Sequence, residues 1–489
     1  MAITVRSSRD IIDFVNSHPT GTRRTRILAL VALGGIFVDA YDFTSLGLGL
    51  HSLTGQWKLT AFEVGALTSI MAAGALIGAL CGGYIVDRVG RYKLFVIDLV
   101  LFVVAAIAAG LAPDLAVLLI CRFLLGFGVG LDMPASFSFI TEFTATPDKG
   151  KYVNSWQAMW YVAVVSAGVI LLPFYLGGAG QDLWRWAVGL GALPALVVLT
   201  LRLIYTEESP MWAAHCLGLA EAGRILERSY GITVTVAPAG DPGGPGAPGG
   251  PDAPGESGQA RARPARARGL PGLTATRTLF SRRYLSRTVA SSAITMTQAT
   301  QYYAVGFYIP TISLLILGAG TLQAIVGTSL INVAGIVGGT IQAYLTRRLG
   351  LRRLAMAGYV LVCACAVTLG LMGGHGGYAA AGLIAAFIFG QSAGPGPQGK
   401  TMAALSYPTP LRGAATGWNE AMSRVGTIVG FYLFPTLLSA VGLGATMLYV
   451  AIVPAIGFAV LLVIRWDPIG KDVENEEPGV GVAAHLAAR

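Results

Sequence analysis

Among the ionisable side chains inside long apolar runs of this 489-residue chain are Asp39 and Asp42 in the first run and Arg122 and Asp132 in the fourth. A charge inside a membrane-spanning helix costs about 2.5–3.5 kcal/mol on insertion scales, so each is a candidate for function. Carboxyl and guanidinium groups at that depth can take up, hold and release a proton. Counted inward from Ile27, Asp42 lies roughly 22 Å above the inner membrane edge. Counted down from Leu115, Arg122 lies roughly 10 Å below the outer edge of a ~30 Å hydrocarbon core. The two are level, and as a pair they neutralise a charge that either alone would bury at high cost. Asp39 sits mid-membrane, where it either titrates or hydrogen-bonds its neighbours. Asp132 falls roughly 26 Å below the outer edge, where interfacial water is as natural a partner as a proton pathway.

Neutral donors and acceptors accompany these charges. Gln157, Trp160, Gln298, Gln301, Tyr302, Gln391 and Asn419 all fall in apolar runs. Amides beside aromatic faces suit a small polar metabolite, although each can equally serve as a hydrogen bond between helices. Glu420 and Arg424 are spaced i,i+4 and can satisfy each other. Lys400 lies close to the inner edge, within reach of snorkelling. Lys400 and Arg424 against Glu420 leave the second half with an excess of positive charge in its spans. That predicts a substrate with a carboxylate and puts Arg424 among its ligands. Gly394 to Gly399 holds two prolines and three glycines, a helix break that must line a cavity or pack tightly. The five His lie at or outside helix ends and the five Cys show no metal spacing, so neither an enzyme, a metal nor a cofactor is expected.

The elements that must position these residues are helices in lipid. Hydrophobic residues make up 54% and charged ones 12%, where a soluble domain carries about a quarter charged. The formal charge of +9 is spread over loops, which argues against nucleic acid as a partner. A span needs about 20 apolar residues, and twelve runs qualify: 27–50, 62–86, 94–112, 115–140, 153–177, 184–205, 288–317, 321–346, 354–374, 377–404, 414–440 and 443–465. The odd-numbered links between them hold one Lys, Lys58, and no Arg. By the positive-inside rule both termini face the cytoplasm. Residues 1–26 precede the first span and contain an amphipathic piece, Asp10 to Asn16, expected to lie along the inner leaflet. Residues 206–287 link the sixth and seventh spans, with a helix expected up to Tyr230. The Pro/Gly/Ala-rich stretch from Pro238 to Gly272 is expected to be disordered. Residues 466–489 form a polar tail.

Gly83 to Lys93 reads Gly-Tyr-Ile-Val-Asp-Arg-Val-Gly-Arg-Tyr-Lys, a tight hairpin between the second and third spans. A degraded copy, Arg347 to Arg353, follows between the eighth and ninth. Pro134, Pro147 and Gly150 match Pro397, Pro410 and Gly413 at one constant offset. Two related six-helix halves follow, with a site between them near the midplane. The hairpin resembles the signature loop of the major facilitator superfamily of transporters. Tyr41-Asp42, Arg122, Gly126-x-Gly128-x-Gly130, Glu142-x4-Pro147, Trp184-Arg185-Trp186 and Glu208-Ser209-Pro210 resemble its sugar-porter branch. Proton-coupled members of that branch use the span-one Asp, paired with the span-four Arg, as protonation site, which here implies Asp42 and Arg122. The seventh span departs from the branch, reading Gln298-Ala-Thr-Gln301-Tyr302-Tyr303 where sugar porters have a Gln-Gln pair followed by Asn. Asp132-Met133-Pro134 is instead similar to proton-linked phosphate and organic-acid symporters. Asp87, Arg88, Arg91 and Glu142 are expected as gating residues, through ionic ties between inner helix ends.

The expectation is an all-α membrane protein of twelve transmembrane helices in two six-helix repeats, the major facilitator fold. Its halves span 27–205 and 288–465. Its function is secondary active transport in the cell's inner membrane, importing a small polar metabolite with protons by alternating access, organic acid ahead of sugar. Asp42, Arg122, Asp39 and Asp132 are the proton-coupling candidates. Its partners are the small-molecule substrate, protons and membrane lipid. An exporter of drugs or metabolites and a non-transporting membrane sensor are the alternatives.

Overall fold

The computed structural model describes residues 2–17, 23–144, 149–236, 272–310, 312, 321–373, 377–471 and 473. A strand β1 (Ala2–Val5) and a helix α1 (Ser8–Ser17) come first. Then follow α2 (Arg23–Trp57), α3 (Ala61–Val89), α4 (Arg91–Gly110) and α5 (Leu115–Phe143). A short α6 (Lys149–Asn154) leads into α7 (Trp156–Leu176), and the sixth span is built of α8 (Leu183–Gly189) and α9 (Ala192–Tyr205). Beyond it lie α10 (Pro210–Cys216), α11 (Leu219–Tyr230) and a strand β2 (Thr233–Val236). The second half comprises α12 (Gly272–Leu279), α13 (Leu285–Val305), α14 (Thr321–Leu349), α15 (Leu351–Leu371), α16 (Gly377–Ala393), α17 (Pro395–Leu405) and α18 (Thr409–Val463).

Among the described residues, ten stretches are long and apolar enough to cross a bilayer. The last of them, inside α18, is two spans, because Gly442 at φ 75° and ψ 174° interrupts the helix. A twelfth span, α13, is masked from a hydropathy reading by its own Ser, Thr and Gln residues, most of which face inward. The twelve-helix architecture expected from the sequence is therefore present.

The same pairings recur in both halves. α3 packs on α5 as α14 packs on α16, α2 on α7 as α13 on the first part of α18, and α4 on α9 as α15 on its second part. Contacts of α3 with α18 and of α7 with α14 join the halves. Small residues allow the close approach: a Cβ at Gly126 would land on the Met71 carbonyl and one at Gly130 on that of Ala75.

Several expectations need correcting. The amphipathic helix α1 does not lie on lipid. Its buried side, Ile11, Phe14 and Val15, clusters with Met211, Ala213, Ala222, Ile225 and Leu226, and Phe14 meets Tyr230 edge-on at 5.5 Å. An apolar stripe fits protein as well as lipid, and here α10 and α11 take it. A short parallel ribbon accompanies the all-α membrane fold, β1 pairing with β2 from Ala2 opposite Thr233 through Val5 opposite Val236. Helix α13 ends at Val305 and a turn at 306–308 interrupts the expected run 288–317; residues 309, 310 and 312 are helical again, and 313–317 lie outside the described residues. The sixth breaks at 190–191, where Pro194 cannot donate to the carbonyl of residue 190 and its ring crowds that carbonyl. The stretch 237–271 and the tail from 474 lie outside the described residues.

Candidate substrate and proton site

Asp42 on α2 forms an ion pair with Arg122 on α5, with side chains 0% and 1% exposed. The pair sits wholly inside the first half. A second buried ionic group lies nearer the arginine-rich end. Arg202 Nη1 is 2.8 Å from Asp132 Oδ1 and 3.5 Å from Asp98 Oδ2, and its guanidinium lies 4.0 Å from the Phe95 ring centre. Ser136 Oγ donates to Asp132 Oδ2 at 3.2 Å. Asp132 is thus buried and ion-paired, where its depth suggested interfacial water. Arg202 and Asp98 were missed in the sequence because an arginine four residues from the end of a span reads as a positive-inside anchor.

The charges of the second half collect around Glu420. Lys400 Nζ on α17 is 2.8 Å from Glu420 Oε2, and Arg424 Nη2 on α18 is 2.6 Å from Glu420 Oε1. Lys400 does not snorkel: it is buried and its ammonium stands 4.7 Å from the Trp156 ring of the first half. Arg424 faces the first half too, 5.6 Å from the Phe43 ring centre. Asp39, one helical turn before Phe43, is 2% exposed, and its Oδ2 has no hydrogen-bond partner. The helix break at Gly394 places Lys400 here. Gly394 packs on Gly358, and Pro395 opens α17, so this irregular backbone packs tightly.

A small cavity of about 30 Å³ lies between the halves, lined by Phe43, Thr44, Trp160, Tyr302, Tyr303 and Phe307 among others. Of the eight expected substrate ligands, Trp160 and Tyr302 line it, and Trp160 Nε1 donates to the Tyr302 hydroxyl at 2.9 Å. Gln298, Gln301 and Gln391 form a chain of amides instead. Gln391 Nε2 donates to Gln298 Oε1 at 2.7 Å, and Gln301 Nε2 donates to Gln391 Oε1. Asn419 accepts from Thr295 Oγ1 at 2.9 Å, and Gln157 packs against Gly396. These five are buried and lie away from the cavity lining.

The expected gate divides differently. Arg91 Nη2 pairs with Glu142 Oε1 at 2.8 Å, and Glu208 Oε1 accepts the Arg91 backbone N–H at 2.9 Å. Burial pushes the Glu208 carboxyl above the usual glutamate range, against the pull of those N–H donors and of Arg91. Arg91 and Glu142 belong to the first half and Glu208 to the segment directly after it, so these ties do not bridge the two halves. Arg88 is exposed, and the Asp87 side chain lies outside the described residues. Among the described residues, the Lys151 ammonium of the first half lies 4.4 Å from the Tyr344 ring of the second at this end, and beside it a neutral cluster joins the halves. Asn154 Nδ2 donates to Gln342 Oε1 at 2.8 Å, to Thr346 Oγ1 at 2.6 Å and to Gln398 Oε1 at 3.2 Å, while Thr401 Oγ1 donates to Asn154 Oδ1. Sequence reading overlooked this cluster, since isolated amides and hydroxyls near helix ends give no signal until packing joins them.

Comparison with known proteins agrees with this architecture. The inner membrane metabolite transport protein YgcS of Escherichia coli (strain K12) is 28% identical over 448 residues, covering 91% of each chain. The niacin transporter NiaP of Acinetobacter baylyi is 24% identical over 488 residues, covering 95% of this chain and 99% of that one. Among solved structures, the proton:xylose symporter XylE of E. coli superposes with a TM-score of 0.74 at 18% identity, over 92% of this chain and 97% of that one. The family model for sugar (and other) transporters matches residues 31–474. The fold is that of the symporter, a major facilitator superfamily structure, and with the family match running from the first span to beyond the last, the chain belongs to the sugar (and other) transporter family.

Proposed function

We propose that this protein imports a small organic acid together with protons, its two halves rocking about a site between them. The observation that carries the reading is the buried group Lys400, Glu420 and Arg424, two cations on one carboxylate, turned toward the first half. Buried charge is costly unless matched, and a substrate carboxylate entering between the halves supplies the match. The niacin transporter among the relatives makes nicotinate a natural first probe. The cavity of about 30 Å³ has room for water rather than for a metabolite, so binding requires the helices to part. The proton rides on a carboxyl of α2, and both termini face the cytoplasm in keeping with the Lys and Arg distribution.

The chain Gln298–Gln391–Gln301 favours a second reading, a neutral sugar held by amides. Uptake of radiolabelled nicotinate and xylose into proteoliposomes separates the two. An acid-outside gradient should drive nicotinate inward against its concentration gradient. Accumulation of xylose with no binding of carboxylates sinks the organic-acid reading, and gradient-driven exit in place of entry makes the protein an exporter.

A further inference from the structure

Asp39 lies where the first half faces the charged group of the second. The ionisable neighbours within its electrostatic reach include Asp132 and Arg202 from the first half, and Tyr303, Lys400, Glu420 and Arg424 from the second. Asp132 and Asp98 share Arg202 in an ionic group of the first half. Asp39 and Phe43 share a face of α2, and Phe43 lies beneath the Arg424 guanidinium. With all groups ionised, Lys400 and Arg424 are balanced by Glu420 and Asp39. Asp42, by contrast, is matched inside its own half by Arg122.

We propose that Asp39 and the substrate carboxylate take turns as the second counter-charge of the Lys400–Glu420–Arg424 group. This rests on the organic-acid reading above and adds its stoichiometry. A proton from the outer side forms an O–H bond with the Asp39 carboxylate. One positive charge of the group is then unmatched, and the carboxylate of the substrate takes it. After the halves rock, the anion leaves inward, the Asp39 O–H bond breaks and its proton leaves to the same side. One proton and one monocarboxylate move together. The site carries the same net charge empty and loaded, so the cycle moves no charge across the membrane.

An Asp39→Asn protein keeps the positive charge permanently. It binds the anion without a proton, so each turnover carries one negative charge. The test uses proteoliposomes of the full-length protein, with nicotinate as probe, under an imposed pH gradient or an imposed potassium diffusion potential at equal pH. The wild type should concentrate nicotinate under the pH gradient and ignore the potential. Asp39→Asn should lose the pH response and take nicotinate up faster when the interior is positive. Asp39→Ser makes the same charge change with a smaller side chain, should Asn fail to fold. Retention of pH-driven accumulation in either variant overturns the role of Asp39, as does wild-type uptake that follows the potential. A wild type that binds neither nicotinate nor benzoate takes down the organic-acid reading itself, and this proposal with it.

Discussion

Glu208 Oε1 accepts the backbone N–H of Arg91 at 2.9 Å, at the first turn of α4. The second half repeats the arrangement, with Asp467 Oδ2 accepting the N–H of Arg352 at 3.0 Å at the start of α15. In each case the carboxylate comes from the chain just beyond the sixth span of its half. It satisfies N–H groups that have no partner within the helix and sits at the positive end of the helix dipole. The glycine before each helix makes room. Gly90 has φ 100° and ψ 159°, Gly350 has φ 79° and ψ 167°, and a Cβ on either would land on the capping carboxylate.

Gly90→Ala and Gly350→Ala should therefore each destabilise the protein by about 1–3 kcal/mol, because that backbone region is essentially closed to other residues. Thermal unfolding of the detergent-purified protein measures it. An unchanged midpoint in both variants would mean that the caps are dispensable.

Arg202 is the keystone of the second ionic group. Removing it leaves Asp98 and Asp132 buried without a cation, at a cost of about 3–5 kcal/mol. Arg202→Gln should fold poorly, and adding Asp132→Asn should recover part of the loss by removing one stranded charge. If Arg202→Gln expresses and melts like the wild type, the group contributes little to stability.

The sequence revealed most where a residue's surroundings follow from its own helix. Rise per residue was enough to set Asp42 level with Arg122, and composition alone marked the break at Gly394. It was silent wherever two distant elements decide the outcome. The stripe Ile11, Phe14 and Val15 announces an amphipathic helix but cannot say whether lipid or α11 covers it. Four-residue strands such as β1 and β2 give too short a pattern to separate from loop, and only their pairing defines them. Lys400, near a helix end, reads as a snorkelling cation until the packing of α17 turns it onto Glu420.

Asn154 shows how the two halves close at the arginine-rich end. Its side chain reaches Gln342 and Thr346 on α14 and Gln398 and Thr401 on α17, all buried. Opening this end must break those bonds, each worth about 0.5–1.5 kcal/mol net. Asn154→Leu removes them and should shift the equilibrium toward the open arrangement roughly tenfold or more, since 1.4 kcal/mol corresponds to a factor of ten. A cysteine placed at Ala158 in a cysteine-free background should then react faster with a water-soluble maleimide added on that side. Equal labelling rates with and without Asn154→Leu would remove the cluster from the gate.

Asp42 and Arg122 distinguish a coupling carboxyl from a structural pair. The family resemblance assigns the proton to Asp42, while the structure matches it with Arg122 inside one half, both essentially inaccessible. If the pair stays ionised through the cycle, Asp42→Asn strands a buried guanidinium and should cost about 3–5 kcal/mol of stability. The double variant Asp42→Asn with Arg122→Gln then restores much of the melting temperature, because it removes both charges together. Such a double variant, reconstituted, should still concentrate nicotinate under an acid-outside gradient. The opposite pattern has a distinct signature. Asp42→Asn would melt normally, exchange nicotinate across the membrane at equal pH, and fail to accumulate it under the gradient. That result would transfer the proton from Asp39 to Asp42 and make release of Arg122 the event that lets α2 and α5 move apart.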